Sequence, residues 1–325
     1  MDIPKTRVEA KPSLVVNLSN SLSRVLALLP FAIITVIVVG PLIWVVLMSF
    51  RLTNEIFTNP YALPIPFHVY NYLHAFVPPK EELDSLAPTL GTTPQGIDQW
   101  LQQTNLPDGG FGFFHYIVNS VIVTTASLLI VTTITTMAAY VFARQRYAFP
   151  GRGPLFIFIF LSMFFPPQIT QLSLFQLAVS YKVFNTLWSL ILVYPAMAIA
   201  LDLYLLRAFL AQIPTEIEDA SRIDGCNDWQ TFWKVMLPIA KPAISTVIII
   251  NLLDFWNEFL YALTLVTKPE LATIPLATYH WVGEVELDVG GLAAALVISM
   301  LPIVILYLML SEQFMQSMVG GALKG

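Results

Sequence analysis

Charge is scarce in this sequence. Of 325 residues only 11% are Asp, Glu, Lys or Arg, against roughly a quarter in an average soluble domain, while 56% are apolar. So few ionised side chains do not cover the core of a soluble fold of this size, which excludes a cytosolic enzyme and makes lipid the chain's main solvent. Positive charge is not in excess either: the formal net charge of −5 removes the basic footprint that nucleic-acid binding requires. Cysteine occurs once, at Cys226, which excludes an intrachain disulfide and a cysteine-built zinc cage. The four histidines, His68, His74, His115 and His280, are scattered and show no metal-ligand spacing. The H-E-x-x-H and G-x-S-x-G motifs and the G-x-x-x-x-G-K-[ST] phosphate loop are absent from the sequence, so it carries no such protease, hydrolase or ATP-site signature.

Long apolar runs take the place of the missing charge. Val25 to Phe50 contains no charged residue, and a helix of that length, at about 1.5 Å per residue, exceeds a hydrocarbon core of about 30 Å. It is too long for the apolar region of a cleaved signal peptide, about 7–15 residues, and no small-x-small site follows, so it reads as an uncleaved anchor. Five more runs, at 117–143, 154–179, 187–209, 243–267 and 290–311, predict an all-α integral membrane protein of six spans. Pro166, Pro167 and Pro195 are expected to kink or interrupt the third and fourth. The layout is a leading segment 1–24, a six-span domain 25–311 and a tail 312–325. With both termini inside, twelve Lys and Arg fall on internal segments and four on external loops, an orientation that follows the positive-inside rule.

Two connections are more than linkers. The first external loop, 51–114, holds eight prolines, and Thr93-Pro94 predicts the start of a short helix carrying Ile97, Trp100, Leu101 and Thr104. The internal loop 210–242 reads as a helix from Pro214, acidic in its first turn at Glu216, Glu218 and Asp219, stopped by Gly225 after Asp224. Ile217, Ala220, Ser221 and Asp224 are expected on one face. Asp228 is expected to cap a second short helix with an apolar face of Trp229, Phe232, Trp233 and Met236, stopped at Leu237-Pro238 before span five begins. The residues alone support two readings, a hairpin lying on lipid headgroups or an element that docks into a partner.

Polar residues also sit inside predicted spans. Asn251, Asp254, Glu258 and Tyr261 form a stripe at helical spacing in span five, Trp256 and Asn257 lie beside it, and span four holds Asp202. A charge near a helix centre costs on the order of 2.5–3.5 kcal/mol on insertion scales, so such groups face a bundle interior or a water-filled path. There their carboxylates and amides accept from and donate to hydroxyl groups, with Trp256 or Tyr261 offering a ring face for stacking, or else they bond a neighbouring helix. A proton-coupled secondary transporter relaying through Asp202, Asp254 and Glu258 is an alternative, although no internal repeat supports it. An intramembrane aspartyl protease using Asp202 and Asp254 is another, weakened by Leu252-Leu253 where such enzymes carry glycine context.

The internal loop, Pro214-Thr215-Glu216-Ile217-Glu218-Asp219-Ala220-Ser221-Arg222-Ile223-Asp224-Gly225, then nine residues and Val235-Met236-Leu237-Pro238, resembles the EAA motif of ABC-importer permeases. Asp219 stands where the family has Glu, and Ser221 where it has the second Ala. Asn71-Tyr72, Asn119-Ser120, Ala143-Arg144 through Gly151-Arg152, Phe255-Trp256-Asn257-Glu258-Phe259 and the Gly320 to Gly325 ending resemble carbohydrate-type, MalG-like permeases. The resemblance implies the permease subunit of a binding-protein-dependent importer of di- or oligosaccharides in a bacterial inner membrane. It implies a second permease (MalF-like), two ATPase subunits (MalK-like) holding ATP and Mg, and an extracytoplasmic sugar-binding protein. No cofactor is expected in this chain. By the same resemblance Glu216, Asp219, Ala220, Ser221, Asp224, Gly225, Trp229, Leu237 and Pro238 form the ATPase-coupling site, and the 268–289 loop with Tyr279, His280 and Trp281 faces the binding protein. Residues 78–112 are an insertion relative to the family's usual short connection, expected to extend the surface presented to the binding protein or sister permease.

Overall fold

The computed structural model describes residues 14–77, 80–89, 92–103, 112–284 and 288–322. Among the described residues there is no strand. In chain order the helices are α1 (Leu14–Met48), α2 (Thr53–Thr58), α3 (Tyr70–Phe76), α4 (Lys80–Leu86), α5 (Pro94–Gln103), α6 (Phe113–Ala143), α7 (Arg152–Leu161) and α8 (Pro167–Ser180). They continue as α9 (Leu187–Gln212), α10 (Glu216–Ile223), α11 (Asp228–Thr231), α12 (Leu237–Asn257), α13 (Leu260–Leu265), α14 (Ile274–Glu284) and α15 (Val289–Ala322).

Four stretches are long and apolar enough to cross a membrane: Leu28–Met48 of α1, α6, α9, and the continuous Asp228–Asn257. A fifth is split. The apolar run predicted at 154–179 breaks into α7 and α8, which diverge by 106°. The break falls where Pro166 and Pro167 remove two consecutive backbone donors, with Pro166 extended and Pro167 opening the new helix. Pro195, by contrast, lies inside α9 without interrupting it, enclosed by neighbouring helices that replace water around the freed carbonyl. The fifth predicted span, 243–267, is shifted: its helix starts at Leu237, ends at Asn257, and resumes as α13 only after an extended Glu258. The region assigned to the tail, 312–325, continues α15 as far as Ala322.

The centre of the molecule is the α6–α9 pair. Ser120, Thr124, Ser127, Val131, Thr135 and Ala139 form a buried row of small side chains down α6, which lets the α9 backbone approach closely. Leu190, Tyr194, Leu203 and Leu206 of α9 are buried there. α1 is different: no residue in its apolar window is buried, and its main helical neighbour is α15. Its side chains have lipid or another subunit as their environment.

Polar clasps fix the connections. Asn71 Nδ2 donates to the carbonyls of Ser49 and Arg51, both at 2.9 Å. Gly290 packs against this clasp so closely that a Cβ would come within 2.8 Å of Asn71 Nδ2. Asn119 Nδ2 donates to the carbonyls of Glu270 (2.9 Å) and Ala272 (3.0 Å), and Ser120 Oγ accepts from Ile274 N (2.9 Å), pinning the start of α14. The stretch expected as an outer loop at 268–289 is therefore mostly helix, carrying Tyr279, His280 and Trp281; Glu286 lies outside the described residues.

Within the insertion, the described helices α4 and α5 pack on each other. Leu83 and Ala87 pack with Ile97 and Leu101 in a small core completed by Tyr70 and Val77. Lys80 and Asp98 (2.6 Å) bridge α4 to α5, and His115 with Glu82 (2.9 Å) ties α4 to α6. Thr93 Oγ1 accepts from Gly96 N at 3.2 Å at the start of α5. Thr104 lies outside the described residues.

Candidate functional site

At one end of the bundle the chain leaves α9, turns through α10 and α11 and enters α12. Glu216, Glu218 and Asp219 occupy the first turn of α10, where the helix dipole favours carboxylates. The face expected to be shared by Ile217, Ala220, Ser221 and Asp224 is divided instead. Ser221 is buried and Ile217 half-buried, whereas Ala220 and Asp224 are exposed. The outward edge is Glu216, Asp219, Ala220 and Ile223, at i, i+3, i+4 and i+7, with the Ile223 side chain 87% exposed. Ile223 therefore presents an apolar side chain to the surroundings at the end of an acidic helix.

The helix is turned this way by what lies beneath it. Arg144, at the end of α6, forms an ion pair with Glu218 in which both side chains are only 4% exposed. Tyr140 Oη donates to the same carboxylate at 3.2 Å, Arg144 Nη1 donates to Ile213 O at 2.8 Å, and Arg152 Nη1 donates to Arg144 O at 2.7 Å. Ser221 Oγ pairs with Thr231 Oγ1 at 2.9 Å, joining α10 to α11. Arg222 spans Glu218 (3.5 Å), Asp219 (3.3 Å) and Asp228 (3.2 Å). Burial of the ions and the paired hydrogen bonds make this clamp costly to open. Gly225 follows in the left-handed region at φ +87°, where an L side chain is strained.

Three expectations for this loop are corrected. The cap of α11 is Asn227, whose side chain accepts from Gln230 N (2.8 Å) while Gln230 returns a bond to Asn227 N (3.0 Å). Asp228 is free of that duty because it faces Arg222 and Arg146. The aromatic face is split: Phe232 and Met236 are buried, Trp229 and Trp233 exposed. Leu237-Pro238 does not stop the helix: a π turn at Phe232–Met236 leads directly into α12, and the chain stays helical across Pro238. The sequence reading did not include Arg144, Glu218 and Ile223 among the site residues. Their signal is the helical wheel, which sets Glu218 about 200° from Glu216 and so directs one acid of the loop inward.

The polar residues of the spanning region separate into groups. Asn251 Nδ2 donates to Asp202 Oδ2 at 2.6 Å, both side chains buried, which locks α12 to α9. Trp256 is buried and donates from Nε1 to Ser299 O at 3.2 Å. Tyr261 is buried, with Oη 3.2 Å from Thr170 Oγ1 and 3.0 Å from Met197 Sδ. Neither ring face is open to a sugar in this conformation. Glu258 accepts from Tyr261 N (2.7 Å) and Ala262 N (3.2 Å), so its carboxylate starts α13. The predicted single-face stripe does not exist, because the helix ends at Asn257. Asp254 and Asn257 are the exposed members, and Asn257 Nδ2 donates to its own helix at Leu253 O (2.8 Å). Among the described residues no three His, Cys, Asp or Glu side chains gather as metal ligands.

Relatives share this architecture. YurM of Bacillus subtilis, a probable ABC transporter permease protein, is 30% identical over 88% of this chain and 83% of its own. The diacetylchitobiose uptake system permease protein NgcG of Streptomyces coelicolor is 30% identical over 89% and 85%. A chain of a bacterial ABC transporter that imports the acidic polysaccharide alginate superposes with a TM-score of 0.66 over 93% of this chain and 98% of that one, at 20% identity, and shares the fold. The family described as binding-protein-dependent transport system inner membrane component matches residues 132–319, which include α9 and the whole α10–α12 turn. With more than half its length inside that family, the chain belongs to the inner-membrane permease components of binding-protein-dependent ABC transport systems.

Proposed function

We propose that this chain is one permease half of an ATP-driven importer of di- or oligosaccharides, and that the α10–α11 turn is where a separate ATPase drives it. The membrane family, the diacetylchitobiose permease among its relatives and the absence of a phosphate loop from the sequence support this division of labour. α1, α6, the broken α7–α8, α9, α12–α13 and α15 make six crossings. Most of the described Lys and Arg lie on the α10 side, which supports a cytoplasmic location for that side and, with six crossings, for both termini. A second permease completes the path, two ATPase subunits bind ATP and Mg, and an extracytoplasmic binding protein delivers the sugar. The α4–α5 cap stands on the opposite side and extends the surface offered to the binding protein or the sister permease.

The observation that carries the coupling role is the acidic edge of α10 with Ile223 exposed, backed by the buried Arg144–Glu218 clamp. A force applied to that edge passes through rigid contacts to α6 and, through the π turn, to α12. Gly225 tests it. A Cβ at Gly225 meets nothing within 4 Å inside this chain, so bulk there harms only a partner's approach, beyond a left-handed strain of about 1–2 kcal/mol. Gly225→Asn, which tolerates that conformation, is expected to transport, and Gly225→Trp to insert and assemble poorly with the ATPase without transport. Normal uptake by Gly225→Trp refutes the docking assignment.

A further inference from the structure

We infer that the loop between α1 and α3 is a lipid-contact element, seated in the interfacial zone of the leaflet that the Met48 end of α1 reaches. From Ile56 to Phe67 the sequence holds no charged residue. Every second side chain from Tyr61 to Phe67 points outward: Tyr61, Leu63, Ile65 and Phe67 are 85%, 64%, 79% and 65% exposed, while Pro64 between them is buried. Together they form a contiguous apolar face that this chain leaves mostly uncovered. The charges at its base are turned away or paired. Arg51 is buried and donates to the carbonyls of Glu55 (2.8 Å), Asn59 (2.7 Å) and Pro60 (3.2 Å), and Glu55 Oε1 lies 3.1 Å from His68 Nε2.

Position decides what covers that face. Tyr61 packs on Trp44 with ring centroids 5.8 Å apart, and Phe67 packs on Phe50 at 5.5 Å. Trp44 precedes the end of α1 at Met48 by one helical turn, so the loop folds back beside the span by roughly 6 Å. The α1 window it joins, Leu28–Met48, is apolar and wholly unburied, in a family of inner-membrane components. One turn from the end of a span is the level at which tryptophan and tyrosine rings sit between headgroups and hydrocarbon. Extended backbone goes no deeper, because its polar groups lack partners there. This loop lowers that cost: Pro60, Pro64 and Pro66 have no N–H, the amides of Ala62 and Ile65 donate within the loop at 3.2 and 2.8 Å, and Arg51 takes three carbonyls. A protein partner forms hydrogen bonds across its interface, and Leu63, Ile65 and Phe67 offer none, whereas the lipid zone requires only apolar area beside amphipathic rings. The loop leads into α3, whose Asn71 clasps Ser49 and Arg51, so lipid contact fixes the level at which the α4–α5 cap stands. Membership of the inner-membrane family is all that this requires; the sugar, the ATPase contact and the side of the termini do not enter.

Cys226 is the sole cysteine of the sequence, so Cys226→Ser yields a chain that takes one nitroxide label at a chosen site. The transporter, assembled with cysteine-free partner subunits and reconstituted in vesicles of phosphatidylethanolamine and phosphatidylglycerol, carries the label at Leu63→Cys, Ile65→Cys or Gln102→Cys. Gln102, exposed on α5 in the cap, is the aqueous reference. Electron paramagnetic resonance then compares collisions with oxygen, which concentrates in the bilayer, and with a water-soluble nickel chelate. Labels at Leu63 and Ile65 are expected to meet oxygen more and nickel less than the label at Gln102. Adding Tyr61→Asp is expected to raise nickel collisions at both toward the Gln102 value, which a label that partitions into lipid by itself does not show. Nickel collisions at Leu63 and Ile65 equal to those at Gln102 overturn the inference by leaving the face in water. Protection of both labels from both reagents overturns it by giving the face to another subunit, and indifference of both to Tyr61→Asp overturns it as well. Both side chains are exposed, so if one cysteine variant fails to assemble the other decides.

Discussion

Removing Arg144 should release the coupling helix. In Arg144→Met the Glu218 carboxylate, 4% exposed, loses its ion-pair partner and keeps only the Tyr140 hydroxyl at 3.2 Å and Arg222 at 3.5 Å. Breaking a buried pair by deleting one partner costs about 3–5 kcal/mol. The two remaining contacts place this case near the lower end, at about 3 kcal/mol. Glu218→Leu should cost a similar amount, because it strands a buried guanidinium whose one good acceptor is Ile213 O. In the double variant neither charge is left buried alone, and the residual cost is that of the orphaned Ile213 carbonyl, about 1–2 kcal/mol. The double-mutant cycle should then report a coupling of about 4–5 kcal/mol in magnitude. Hydrogen exchange of the α10 amides in the purified transporter is the direct assay, since it reads local opening. A loss of about 3 kcal/mol accelerates exchange on the order of 10²-fold. Exchange in Arg144→Met within threefold of the parent, or single-variant effects that simply add in the double, would refute the clamp.

Other expectations follow from individual contacts. Ile223→Ser should leave the chain's insertion and thermal midpoint unchanged, because the side chain touches solvent, yet lower the copurification of ATPase subunits and sugar-stimulated ATP hydrolysis at least tenfold; wild-type hydrolysis would exclude Ile223 from the contact. Glu258→Ala removes two cap bonds and should destabilise by about 1–2 kcal/mol, whereas Glu258→Gln keeps an acceptor and costs less. Asp254→Asn, at an exposed position, should alter uptake kinetics with no shift in thermal midpoint, and unchanged uptake would remove Asp254 from the sugar path. Burial pushes the His74 imidazole below its ordinary 6.5, with Asp288 opposing from 3.9 Å. The folded chain therefore takes up that proton less readily than the unfolded chain. This part of the stability is complete above pH 6.5 and declines as the pH falls from 6.5 through the lower folded value. Thermal midpoints between pH 8 and pH 5 should show a smaller acid loss in His74→Gln than in the parent, and equal losses would contradict the assignment.

The sequence by itself determined the class of molecule, because class depends on composition and run length. Too few charges for a water-facing surface and uncharged runs of spanning length were enough to indicate a helical membrane protein, and the resemblance of the stretch from Pro214 to Pro238 to a known motif pointed to a permease. The break at Pro166-Pro167 was legible too, since two missing donors act locally. What a side chain meets across the bundle was not legible. Asn251 and Asp254 are three residues apart and look alike in sequence, yet one is paired with Asp202 and the other is exposed, a difference set by where α9 lies. Glu258 reads as a polar residue within a span, but the tertiary fold ends the helix one residue earlier and makes it a cap. The direction of α10 was decided in the same way. Only the position of Arg144, at the end of a helix 74 residues before Glu218 in the chain, selects which acid turns inward, and with it which edge, Asp219 to Ile223, is left facing a partner. Local chemistry fixes the elements, while the energy of burying a charge is settled by whichever distant group arrives to meet it.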